Sequence, residues 1–169
     1  LEDLDAPAMA KEKGDYLRRG LEDIRERYDC IDRITGLGLI QTIYLKDSAS
    51  PALAAQQKTM MAIDKGAFAA AVNVDLFKRQ KIIVQIPGPG VNAVKILPPV
   101  ICTQEDLDYF LNSFEDTIAQ FYGRNGPVLS LTRGIVENAG KAIGKFLPGG
   151  MPGMVRADAE EKKTTSSMS

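Results

Sequence analysis

The sequence predicts an α+β domain: a small antiparallel sheet of about three strands covered by helices. Three observations carry this expectation. Residues 8–28 and 107–121 each repeat apolar side chains at three- and four-residue intervals, the mark of an amphipathic helix. Three short runs between them, 39–45, 82–86 and 94–97, are rich in Ile, Leu, Val, Thr and Tyr and read as strands. Proline and glycine signals then set a turn between the last two runs.

In the first helix Met9, Tyr16, Leu17, Leu21, Ile24 and Tyr28 form the apolar stripe, and Pro7 suits the first turn. Thr35-Gly36-Leu37-Gly38 breaks helical character ahead of the strand at 39–45, as a sharp helix-to-strand turn. Residues 46–51 are a loop by composition. Residues 52–79 are alanine-rich and expected to be helical, with Gly66 and Asn73 as the points of interruption. Pro87-Gly88-Pro89-Gly90 can continue neither a helix nor a central strand, so it is a surface turn. Pro98-Pro99 ends the strand at 94–97 as a rigid extended connector. Thr103 is the expected N-cap of the next helix, with Asp106 completing its first turn. Leu107, Phe110, Leu111, Phe114, Ile118 and Phe121 form that helix's face, and Gly123 is its natural stop. A second apolar stripe from Val128 to Phe146, punctuated by Arg133, Lys141 and Lys145, is a further amphipathic segment. Residues 148–169 are too poor in apolar surface to offset chain entropy and are expected to be disordered.

Composition narrows the function. With 21 basic and 22 acidic residues there is no cationic excess of the kind nucleic-acid binders show. No apolar run approaches the roughly 20 residues that span a bilayer. The acidic start at Leu1 has neither the basic nor the apolar region of an export signal. A cytoplasmic chain cut from a longer protein is therefore expected, with Cys30 and Cys102 as reduced, partly buried thiols. The chain has no histidine, which removes the usual general base and the commonest zinc ligand. A Ser-His-Asp or Cys-His hydrolase is thereby excluded for this chain on its own, and no metal site is expected.

Three segments, in order, resemble the C-terminal domain of class III pyridoxal-phosphate-dependent aminotransferases, the ornithine, 4-aminobutyrate and omega-aminotransferase family. Gly14-Asp15-Tyr16-Leu17-Arg18-Arg19-Gly20-Leu21 is similar to the helix that links that family's two domains. Ile34-Thr35-Gly36-Leu37-Gly38-Leu39 resembles its Val-Arg-Gly-x-Gly-Leu turn. The segment from Val94 to Asp108, with Lys95, Pro98-Pro99 and Thr103-Gln104-Glu105-Asp106, resembles its Arg-hydrophobic-x-Pro-Pro-Leu stretch and following helix start.

The resemblance spans residues 8–122 and implies a division of the chain. Residues 1–28 would be the interdomain linker helix and 29–123 the small domain. Residues 124–147 would be an added segment and 148–169 a tail. It implies a fold like the C-terminal domain of fold-type I enzymes of this cofactor, and a parent enzyme that moves an amino group from an amine or amino acid to a 2-oxo acid. The Schiff-base lysine, the acidic partner of the pyridinium and the phosphate cup would lie in a large domain of the same parent. The chain alone would be inactive, with no catalytic residue and no pyridoxal phosphate of its own. Lys65-Gly66-Ala67 mimics the family's lysine segment only loosely and in the wrong order.

Lys95 is the one substrate-binding candidate. Many relatives carry arginine there, whose planar fork grips a carboxylate at two points; lysine supplies a single rotatable charge. Its alternative is a solvated strand lysine. Thr35 also stands where the family has arginine, and Arg33 is expected to point elsewhere. Gly36, Gly38, Pro98 and Pro99 are turn and connector residues. A homodimeric parent is implied, with no nucleic acid and no membrane as partner. Two other functions stay open. One is a lyase or racemase of the same fold, allowed because Lys95 replaces arginine. The other is a stand-alone, non-catalytic interaction domain, for which the basic segment 127–147 would be the docking element.

Overall fold

Helix α1 spans Ala6–Arg27. Asp5 caps it by accepting the Ala8 N–H at 3.2 Å, Pro7 occupies the first turn, and Arg25 and Arg27 face the negative end of the helix dipole. Of the expected stripe Leu17, Leu21 and Ile24 are buried and Met9, Tyr16 and Tyr28 half-buried, and Gly14 joins them in the core. The computed structural model describes residues 5–122 of the chain. The stop expected at Gly123, the amphipathic segment 124–147 and the tail 148–169 lie outside the described residues.

Two strands follow, β1 at Ile31–Leu37 and β2 at Ile40–Leu45, then helices α2 at Pro51–Met61 and α3 at Ala67–Gln80. Strand β3 is Ala93–Ile96 and helix α4 is Gln104–Tyr122. The sheet is antiparallel in the order β1-β2-β3, so the described residues are α+β with three strands, as expected. Membership of the sheet differs from the expectation in two places.

The segment expected to be a helix-to-strand turn is instead the end of β1 and a two-residue hairpin. Leu37 pairs with Ile40, and Gly38 enters the loop at φ 54°, the positive angle such short connections use. Gly36 lies in the strand at φ 145°, where a Cβ would overlap the Ile40 carbonyl. β1 escapes a search for alternation because its register shifts between Ile31 and Arg33. That bulge separates the buried Ile31 and Ile34 by three residues rather than two.

Conversely, residues 82–86 have strand composition but among the described residues make only one bridge, Gln85 to Lys95. They are pinned between the left-handed Lys81 (φ 58°) that caps α3 and the proline-glycine turn. The alanine-rich stretch breaks at 62–66, next to Gly66, while Asn73 lies inside α3.

The helices cover one face of the sheet. Ile34, Ile43 and Val94 align across the three strands and are buried. α1 packs on β1 and β2, α3 on β3, and α4 on the other helices. Thr103 closes α4 reciprocally with Asp106: Thr103 N–H donates to the carboxylate at 2.8 Å and Asp106 N–H to Thr103 Oγ1 at 3.2 Å. Leu107, Phe110, Phe114, Ile118 and Phe121 line its buried face, and Phe68 of α3 meets Phe121 edge-on at 5.2 Å. Cys30 and Cys102 are unpaired and buried, and burial pushes the Cys30 thiol up to about 11, leaving it protonated near neutral pH.

Candidate functional site: the uncovered face of the sheet

Residues opposite one another in an antiparallel pair share a face. Thr35 pairs with Thr42 and Thr42 with Lys95, so the three make one row across the side that the helices leave uncovered. Arg33 and Tyr44 form the next row with Ala93. Thr35 and Lys95, the two positions for which the resemblance implies arginine, are thus brought together. Strand β3 holds Lys95 by its backbone, which exchanges N–H and C=O bonds with Gln85 at 2.8 Å each.

Arg33 does not point elsewhere, as the sequence reading has it. The shift between Ile31 and Arg33 turns its side chain to the face of Lys95. There its guanidinium lies 4.0 Å from the centre of the Tyr44 ring and pairs with Asp32 at 2.6 Å. Thr42 went unnoticed in the sequence, although the alternation of Ile40, Thr42 and Tyr44 against Gln41, Ile43 and Leu45 carries it. Leu37 (88% exposed) and Ile40 (49%) extend this face with apolar surface that nothing among the described residues covers.

Pro98 and Pro99 stand at the rim of a separate groove of about 290 Å³ beside the end of β3, floored by Leu17, Val84, Ile96 and Phe110. Lys13 of α1 fixes this connector by donating to the Val100 and Cys102 carbonyls at 2.7 and 2.6 Å. Among the described residues the only charged one lining the groove is Asp106. No described lysine lines it, and Lys65 lies exposed between α2 and α3. The lining of this groove therefore does not fit pyridoxal phosphate, which needs a desolvated lysine and a phosphate cup. Among them there is no group of three metal-binding side chains, and no helix is long and apolar enough to cross a membrane.

No family model matches the chain. It is 28% identical over 109 residues to the diaminobutyrate–2-oxoglutarate aminotransferase of Haemophilus influenzae, covering 64% of this chain and 23% of that protein. It is 24% identical over 135 residues to an alanine–glyoxylate aminotransferase 2-like protein of Drosophila melanogaster, covering 77% and 25%. Its fold matches a transaminase from the marine bacterium Virgibacillus with a TM-score of 0.54 at 18% identity, over 68% of this chain and 24% of that one. The described residues form an aminotransferase-like partial domain. The chain spans about a quarter of the length of the curated relatives it matches. In this aminotransferase-like domain the covered face of the sheet is the core, and the open face carries the cations.

Proposed function

We propose that the chain is the C-terminal small domain of a class III, pyridoxal-phosphate-dependent aminotransferase. Its parent, a homodimer, would transfer an amino group from an amine or amino acid to a 2-oxo acid. The large domain would supply the cofactor chemistry, and the chain alone would be inactive. The similarity to two curated aminotransferases over a quarter of their length supports the family. Leu37 and Ile40 offer apolar surface for the large domain to cover, on the face that also carries Lys95.

The row Thr35–Thr42–Lys95 is the observation that carries the site. The Lys95 ammonium would hold a substrate carboxylate at one point, with the two threonine hydroxyls as neutral neighbours. Without an arginine fork at either position, the carboxylate would be attracted but loosely oriented.

In the protein encoded by the complete reading frame, Lys95→Gln is expected to lower kcat/KM for the 2-oxo acid about 10- to 100-fold, as loss of one charged hydrogen bond would. The loss should fall mainly on KM, because the contact exists before and during the reaction, and Lys95→Arg should retain it. Steady-state kinetics at fixed amine check this. Unchanged KM in Lys95→Gln would remove Lys95 from the site.

A further inference from the structure

We propose that Arg18, Glu22 and Arg25 form a guard along the outer edge of β1 that keeps this strand from pairing with β1 of a second copy of the chain. β1 is an end strand. In a two-residue hairpin, the pairs Leu37–Ile40, Thr35–Thr42 and Arg33–Tyr44 exchange backbone bonds, so the polar groups of Ile34 and Gly36 point outward. Such a row of outward N–H and C=O groups is a template for another strand.

The guard meets the acceptors of that row one after another. Arg18 Nη1 donates to the Ile34 carbonyl and its Nη2 to the Gly36 carbonyl at 3.3 Å. Arg25 Nη1 donates to the Asp32 carbonyl at 3.4 Å. Glu22 stands between the two arginines, 2.5 Å from Arg25 Nε and 3.9 Å from Arg18 Nη1. Spacings of three and four residues put all three on one side of α1, so one helix face lies against one strand edge. At the opposite edge of the sheet, Gln85 takes the outward bonds of Lys95.

A second copy is the occupant that the exposed edge would take. Antiparallel self-pairing centred on Ile34 sets Asp32 against Gly36 and Arg33 against Thr35, and returns Ile31 to Leu37. No like charges face one another in this register.

The test uses the full chain with Arg18→Gln and Arg25→Gln together. Light scattering should show a doubling of mass relative to the unaltered chain at matched concentration. Hydrogen exchange at the Ile34 and Gly36 amides should slow by roughly tenfold, since a paired edge is protected. A merely structural role for the arginines would speed that exchange instead. A folded variant of unchanged mass, with equal or faster exchange, would overturn the proposal. Should the double glutamine variant unfold, Arg18→Lys with Arg25→Lys keeps the charge and removes the fork. That variant should gain mass to a smaller degree, and unchanged mass there would equally overturn the guard.

Discussion

Gly14→Ala is expected to lower stability by about 3 kcal/mol or more, a large share of the roughly 5–15 kcal/mol that holds a domain together. A Cβ on Gly14 would sit 2.5 Å from Gly38 Cα and closer still to the Gly38 carbonyl. Both obstacles are backbone. Gly38 cannot retreat easily, because it holds the hairpin at positive φ and its carbonyl accepts the Gln41 side-chain amide at 2.5 Å. Gly20→Ala is the matched control. It gains the same helix propensity, about 1 kcal/mol, but the atoms its Cβ meets first belong to the Leu111 side chain, whose methyls can turn aside. Urea midpoints of the two variants should differ widely in the order given. Equal midpoints would show that α1 does not approach the hairpin so closely.

The second large effect is expected at Asp29. Its carboxylate accepts the Tyr122 hydroxyl, the Ser48 hydroxyl at 2.7 Å and the Ala49 N–H at 2.5 Å. These tie the start of the sheet and the approach to α2 to the last turn of α4. Tyr122 also accepts the Cys30 N–H at 3.1 Å. Burial and its bond to Asp29 push the Tyr122 hydroxyl well above its ordinary range, so it remains a donor. Asp29→Ala should cost on the order of 2 kcal/mol, less than three charged hydrogen bonds in a core, because the carboxylate is exposed.

The pH dependence has a definite sign. The Tyr122 hydroxyl above all, helped by Ser48 and Ala49 and opposed by partial burial, holds the Asp29 carboxyl below its usual range. Its contribution is therefore present above the unfolded carboxylate value of about 3.9 and is lost as pH falls through the lower folded value. Denaturation of Asp29→Asn from pH 6 down to pH 2 should show a shallower acid loss than the unaltered chain. Identical slopes would mean that the carboxylate is not bound in this way.

How far the sequence could be read followed from how local each signal is. α1 and α4 show in their stripes, and Thr103 with Asp106 is a cap of three-residue span. Gly36 and Gly38 announce a turn, but the strand before it is hidden by the bulge beside Asp32, and with it the direction of Arg33. Residues 82–86 have the composition of a strand and make one bridge, because pairing depends on the neighbours and not on composition. Lys95 was legible through resemblance alone, while its companions Thr35 and Thr42 needed the register. The Asp29–Tyr122 contact joins residues 93 positions apart and leaves no local signature.

The proposed role of the chain is in amino-group transfer whose cofactor chemistry another domain supplies. The most direct test compares the complete protein encoded by the reading frame with the chain of residues 1–169. Each would be given pyridoxal phosphate, a panel of amines and amino acids, and a 2-oxo acid. Amino transfer is expected from the complete protein and none from the chain alone. Transfer by the isolated chain, or a complete, folded protein that moves no amino group across the panel, would contradict this role.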